Sequence, residues 1–333
     1  MKRLPTYSTE VLNSHRLCCQ AIVKGRLEEL LRHLFCFAQR QYLRRITKFV
    51  FDEDGFVTSA DKPKEFILEI EDNWYDNKSE VPEPYQKVNE KLWGIFNYDG
   101  FAERKGQGKK GGGIPLIKEI LRHIKYCPYC NADMVYTIKC DDRDKPYKSA
   151  FDHFYPRSRY PFLGLSLYNL IPSCDRCNSK FKHDMYEEVL GTFHPYLNDV
   201  DSVVRFVLIG LTNEMKQGVE SADALRIRLM PRPTGSANNV ETALTNYQSL
   251  YRIDDVYGQL YQDVAVQTLQ IGEVINEAYR EEIKTHFLNV GICADPVKII
   301  LGTPLKRKEI NKYHVAKLKL DLLEQYCGVH VEP

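Results

Sequence analysis

Apolar positions recur at helical spacing from about Thr9 to Phe49, where Leu27, Leu30, Leu31, Leu34, Phe35 and Ala38 form one stripe. Asp52-Glu-Asp-Gly55 closes that region with turn chemistry. A second helix is predicted from Glu83 to Phe96, opened by Pro84 in its first turn. Gly106-Gln-Gly-Lys-Lys-Gly-Gly-Gly113 reads as a flexible linker. It is not a phosphate-cradling loop, because no Gly-Lys-Ser/Thr follows at the required spacing. Pro115 opens a short helix, Leu116 to Ile124. The pattern then shortens. Val135 to Lys139, Ser149 to Phe154 and Leu167 to Ile171 read as short strands, and Cys174 to Val189 as a helix with Ser173 as N-cap. Val203 to Ile209 and Ala224 to Leu229 alternate apolar and polar residues, which predicts a pair of strands. Glu241 to Phe287 is mostly helical in pattern. Lys306 to Gln325 predicts a last amphipathic helix with Ile310, Val315, Leu318 and Leu322 on one side. The expectation is an α+β protein in three regions: a mainly helical 1–113, a central strand–strand–helix core at 114–200, and a mainly helical 201–333 with a short hairpin.

Composition narrows the class. With 333 residues, 43% hydrophobic and 27% charged, the chain can bury a sizeable core. Ten cysteines would mean disulfides in a small secreted scaffold, but the chain is too long for that reading. The first 21 residues lack a continuous apolar core, so they do not read as a signal peptide, and no apolar run reaches membrane-spanning length. The expectation is a cytoplasmic protein without a membrane association, whose thiols stay reduced and whose CxxC pairs favour metal. A net charge of +1 argues against coating nucleic acid by bulk charge, but a local basic groove remains compatible with it. Basic residues do gather at 24–48 and 104–125, and acidic ones at 52–76.

The chemistry concentrates between Tyr126 and Asp184. Cys127-Pro-Tyr-Cys130 and Cys174-Asp-Arg-Cys177 have the spacing of a four-thiolate structural zinc site, closed to substrate. Between them lies Asp152-His153. Asp152 offers a hard oxygen for Mg²⁺ or Mn²⁺, and His153 can take a proton from water. An isolated Asp-His pair is more often a surface or structural pair. Asn178 changes that weighting, because it directly follows the zinc ligand Cys177 and its carbonyl can complete a metal site opposite Asp152. Asn169 suits an orienting role, bonding backbone groups of the loop that carries His153. Arg157, Arg159, Arg176, Lys180 and Lys182 surround these positions as candidate contacts to a nucleic-acid backbone, and a solvated basic surface accounts for any one of them equally well. Tyr155, Tyr160, His123, His194 and His314 are assigned to packing or surface roles.

At these residues the chain resembles the ββα-metal core of HNH endonucleases, in the zinc-bearing subgroup. Phe151-Asp-His-Phe-Tyr-Pro156, Tyr160-Pro-Phe-Leu163, Asn169-Leu-Ile-Pro-Ser-Cys174 and Cys177-Asn-Ser-Lys180 are similar to bacterial HNH proteins of phage-defence systems such as the Septu type and some retrons. The likeness is firm over residues 126–184 and looser at His194-Pro-Tyr196 and Lys317-Leu-Lys-Leu-Asp321. It implies single-metal hydrolysis of phosphodiesters, with DNA as the expected nucleic acid. Asp152 and Asn178 would hold Mg²⁺ or Mn²⁺, His153 would activate water, and 5′-phosphate and 3′-hydroxyl ends would result. It also implies an antiviral role beside an ATPase partner protein. One departure stands out: Lys182 occupies the place, four residues after Asn178, where a second helix ligand often lies. An ammonium cannot ligate a cation, and His183 is a weak substitute. The competing reading is a non-catalytic zinc-binding module that docks nucleic acid or protein. It explains the cysteines but not the company of Asp152, His153 and Asn178.

Overall fold

The computed structural model describes residues 1–34, 36–52, 61–102, 124–138, 147–183, 185–233, 237–275, 277–291 and 295–333. The glycine-rich linker, most of the Leu116–Ile124 helix, all but the first residue of the Asp52–Gly55 turn and most of the second basic cluster lie outside them. The described chain is helix-rich, with three small antiparallel sheets of two strands each.

The N-terminal stripe is split between two helices, α1 (Thr9–His33) and α2 (Phe37–Phe51). Ser8 caps α1, its side chain accepting from the Val11 N–H. The chain is extended at Leu34 and Cys36, and the Arg40 guanidinium donates to the Leu34 carbonyl. That carbonyl lies just past the helix end, where backbone oxygens have no intrahelical partner. α1 therefore buries a narrow row at four-residue spacing, His15, Cys19, Val23 and Leu27, while Leu30, Leu31 and Leu34 pack only partly. α2 buries a fuller face: Tyr42, Leu43, Ile46, Phe49 and Val50. α3 (Asp61–Ile70) runs on into a π-helical turn, Glu71–Tyr75, which the apolar pattern did not announce. α4 (Glu83–Ile95) begins with Pro84 in its first turn and is followed by α5 (Tyr98–Ala102).

In the centre, β1 (Thr137–Ile138) pairs with β2 (Tyr147–Lys148), and β3 (Phe151–His153) with β4 (Leu170–Pro172). The strands are shorter than predicted. Residues 167–169 form a 3₁₀ turn, so Asn169 sits just before its strand and not within it. The predicted helix from Cys174 is also different. A π-helical segment, Arg176–Lys182, is followed after a break by a four-residue helical turn, Glu187–Leu190. Asp175, not Ser173, stands at its N-cap, and His183 ends it at φ +45°. A non-glycine side chain rarely adopts that backbone conformation.

Towards the C-terminus β5 (Val204–Ile209) and β6 (Arg226–Pro231) form the predicted hairpin, pairing Val204 with Pro231 through Ile209 with Arg226. Helices α6 (Ala237–Tyr251), α7 (Ile253–Leu260), α8 (Gln262–Val274), α9 (Glu277–Asn289) and α10 (Pro296–Leu301) follow. The last predicted helix divides into a 3₁₀ stretch, Arg307–Lys312, and α11 (Ala316–Tyr326). Ile310, Val315, Leu318 and Leu322 are all fully buried. One apolar cluster runs from Leu4 and α1 through Tyr129, Phe162 and Cys177 to α11. Among the described residues no helix is long and apolar enough to cross a membrane.

Candidate functional site

Cys127, Cys130, Cys174 and Cys177 come together in the core, their four sulfurs all within 4.8 Å of one another. Cys130 Sγ lies 3.9 Å from Cys174 Sγ. Tetrahedral Zn–S bonds of about 2.3 Å require sulfurs roughly 3.8 Å apart, so the cluster is of a size that could hold zinc. Backbone N–H groups already point at the sulfurs: Ala132 N at 3.4 Å from Cys130 Sγ and Cys177 N at 3.5 Å from Cys174 Sγ. The neighbouring thiols pull Cys130 well below the usual thiol range by hydrogen bonding to its thiolate, and Cys174 and Cys177 are pushed up in turn. A zinc ion would remove that competition by taking all four as thiolates.

The C-terminal helices hold the first knuckle in place. Tyr257 Oη donates to the Cys130 carbonyl at 2.7 Å, and Tyr247 Oη donates to the Tyr129 carbonyl. Asn131, at φ +56°, donates to the carbonyls of Ile310 (2.8 Å) and Tyr313 (3.2 Å). Its own Oδ1 accepts from Lys317 N at 3.1 Å. Lys317 belongs to a buried ion cluster with Asp201 (3.0 Å) and Asp321 (3.0 Å), to which Arg307 adds contacts at 2.7 and 3.1 Å. These C-terminal segments thus form the socket of the first cysteine knuckle.

β3 places Asp152 and His153 on opposite sides, as a strand must. His153 Nε2 lies 3.0 Å from the Gly164 carbonyl. A carbonyl only accepts, so the neutral ring carries its proton on Nε2, and Nδ1 is its acceptor atom. Burial pulls its pKa down to about 4, against the opposing effect of the Gly164 hydrogen bond, so the ring is neutral at pH 7. Tyr98 packs edge-on against it, ring centres 4.9 Å apart. Gly164 has no space for a larger residue: a Cβ there would meet the Phe96 carbonyl at 2.9 Å and that of Pro161 at 3.1 Å.

The loop from Phe154 to Gly164 is clasped by Asn169, which is fully buried. Its Oδ1 accepts from Tyr155 N at 2.7 Å, and its Nδ2 donates to the carbonyls of Tyr155 (3.1 Å) and Leu163 (3.3 Å). Arg159 braces the same loop. Its guanidinium makes a fork on Glu71 at 2.7 and 2.6 Å and caps the carbonyls of Lys78 and Ser79. Tyr160 Oη adds a bond to Glu71 at 2.5 Å, and the Tyr155 and Tyr160 rings are buried packing residues.

Asp152 faces the interior. Lys182 Nζ lies 2.8 Å from Asp152 Oδ1 and 2.8 Å from the His153 carbonyl, and Tyr129 Oη donates to Oδ2 at 2.6 Å. Lys182 and Asp152 expose only 1% and 3% of their surface. Both carboxylate oxygens are therefore engaged, one by an ammonium. This arrangement does not fit a hard divalent cation at Asp152, whatever Asn178 offers. Asn178 is half-buried one residue past Cys177, with no hydrogen bond to its side chain among the described residues. Arg159 and Lys182, expected as contacts to a nucleic-acid backbone, are buried in ion pairs with Glu71 and Asp152. Arg157 lies over the Trp93 ring at 4.0 Å. Arg176 pairs with Asp133 at 2.9 Å and sits beside the cysteine cluster, whose negative charge it offsets. Lys180 is exposed, and with Arg176 and Arg252 it lines a groove of about 610 Å³. Tyr129, at the third position of the first CxxC, was readable as part of the knuckle but not as a partner of Asp152. Gly164 acts through its carbonyl, and Arg252 carried no pattern at all.

No family model and no solved structure matches the chain. It is similar to the Septu protein PtuB of Bacillus thuringiensis, 27% identical over 128 residues. Those residues are 38% of this chain and 46% of that protein, so the match spans under half of either.

Proposed function

We propose that the protein is an endonuclease of the HNH kind that hydrolyses phosphodiesters, DNA being the first substrate to try, in a phage-defence complex with a partner protein. The observation that carries the reading is His153. Its Nε2–H is tied to a backbone carbonyl, which leaves Nδ1 as the basic atom of the ring. Such a group can take the proton of an attacking water. The loop that supplies the carbonyl is fixed by Asn169, Arg159 and Glu71, which is how a general base is held in one orientation. Arg157 and Lys180 are the remaining candidates for holding the nucleic-acid backbone, with Arg176 at the groove wall. The likeness to a Septu protein supports the defence setting.

The test is cleavage of plasmid, linear and single-stranded DNA and of RNA by zinc-loaded protein, wild type against His153→Ala, with and without Mg²⁺ or Mn²⁺. A general base contributes about 10²- to 10⁴-fold, so the variant should lose at least a hundredfold. Equal cleavage by both would remove His153 from the chemistry. A second reading, a zinc module that docks without cleaving, is favoured by the closed Asp152–Lys182 pair. It expects zinc to be bound and no cleavage by either protein, alone or with a partner ATPase added.

A further inference from the structure

We propose that Lys182 is a built-in cation that keeps divalent ions away from Asp152. The position a metal would need at this carboxylate is taken by the lysine's ammonium, and Asp152 serves as its counter-ion. The inference rests on the nuclease reading only in its interest, since the geometry stands apart from any activity.

Three features of the contact support it. Lys182 Nζ reaches two acceptors at once, Asp152 Oδ1 and the His153 carbonyl, each at 2.8 Å. It thereby ties the side chain of Asp152 to the backbone of His153, the proposed base. The second carboxylate oxygen is not free either, because Tyr129 Oη holds it at 2.6 Å, and the Tyr129 ring is fixed by stacking on Tyr251, centres 4.2 Å apart. Finally, the pair is almost wholly out of water. In that setting a divalent ion at Asp152 would stand beside an ammonium with little solvent to screen the repulsion, and expelling the lysine would strand its charge.

The helix that carries Lys182 is shaped for this contact. It is π-helical from Arg176 to Lys182, so each residue turns through roughly 80° in place of the 100° of an α-helix. Lys182 is the last residue of that segment, and the unusual backbone of His183 ends it directly afterwards. π-helical turns are rare and concentrate at functional positions. With an α-helical pitch Lys182 would sit roughly 80° further round relative to Asn178, away from its present bearing on Asp152.

The experiment uses Mn²⁺ as probe, titrated into full-length zinc-loaded protein and followed by the electron paramagnetic resonance signal of the free ion. The proteins are wild type, Asp152→Asn, Lys182→Met and the double variant Lys182→Met/Asp152→Asn. Wild type and Asp152→Asn are expected to bind Mn²⁺ identically, through surface carboxylates alone. Lys182→Met should gain one site at least tenfold tighter than any in wild type, and the double variant should lose it. A wild-type site that Asp152→Asn abolishes would overturn the proposal, as would a folded, zinc-containing Lys182→Met protein with no new site. If Lys182→Met does not fold, Lys182→Gln, which keeps a donor to Asp152 without the charge, takes its place and is read by the same two outcomes. Failure of the nuclease reading is seen separately, as absence of cleavage, and leaves these binding curves unaffected.

Discussion

Replacing Asn169 with alanine removes three hydrogen bonds from a fully buried position without adding any atom. Oδ1 accepts from Tyr155 N at 2.7 Å, and Nδ2 donates to Tyr155 and Leu163 carbonyls at 3.1 and 3.3 Å. The Tyr155 N–H is the most exposed to loss, since a buried donor left unpaired costs about 1–3 kcal/mol. The two carbonyls lose weaker bonds, at about 0.5–1.5 kcal/mol each. The sum is about 2–6 kcal/mol, a large part of the stability of an ordinary domain. Asn169→Asp is the sharper companion variant. It preserves the acceptor for Tyr155 N but turns a donor into an anion facing two carbonyl oxygens, and so should be at least as harmful as alanine.

Urea denaturation of zinc-loaded wild type and both variants gives the stability difference, and the cleavage assay gives the functional one. The clasped loop ends at Gly164, whose carbonyl sets the tautomer of His153. A variant that still folds should therefore cleave more slowly than wild type at equal zinc content. A stability loss below about 0.5 kcal/mol for Asn169→Ala would refute the accounting, because one buried unpaired N–H alone exceeds it. Unchanged cleavage by a folded variant would refute the link from Asn169 through Gly164 to His153.

Other outcomes follow from the same geometry. Cys177→Ser should lose zinc, measured by metal analysis, and unfold much of the core, since metal binding in such sites is worth on the order of 10 kcal/mol and is coupled to folding. Arg159→Met leaves the Glu71 carboxylate buried and should cost about 3–5 kcal/mol in denaturation, while Arg159→Met/Glu71→Gln should recover much of that. Gly164→Ala should retain zinc yet slow cleavage, because its Cβ must displace the Phe96 or Pro161 carbonyl. Burial holds His15 at a pKa of about 4 when folded against 6.5 as a free side chain. Between those values the unfolded chain binds a proton that the folded one does not, so stability falls as pH drops from 6.5 to 4. At full extent the loss is about 3 kcal/mol. Acid also strips the thiolates of zinc, so the His15 part is read as the difference in melting temperature between wild type and His15→Gln across that window. Equal slopes for the two would count against it.

What the sequence disclosed and what it withheld divide along a physical line. The four cysteines were legible because a metal site imposes a fixed local spacing on each pair, and spacing survives in a one-dimensional string. The β5–β6 hairpin was legible because alternation is itself a local pattern. The strand–helix centre was legible only in outline. A strand of three residues is too short to establish a period, and a π-helical turn differs from an α-helical one by a single backbone step that side-chain identity does not record.

The socket of the cysteine knuckle shows the harder case. Tyr247 and Tyr257 reach carbonyls 118 and 127 residues away, and Asn131 reaches Ile310 across 179. Each contact ends on a backbone atom, which every residue possesses, so the receiving residue leaves no mark in the sequence. The same holds at His153, whose partner is the oxygen of a glycine. Lys182 is misread for the opposite reason. Its charge is conspicuous, and a lysine among arginines beside a candidate nuclease site suggests a phosphate contact on frequency alone. Only burial separates the two roles. A lysine stem is long enough to carry its ammonium either outward to solvent or inward to a carboxylate. In this fold Tyr129 and the His153 carbonyl complete an inward site, and the hydrogen bonds they supply make the buried ammonium tolerable. The residue that disturbed the family pattern most is thus the one whose setting depends most on three-dimensional company.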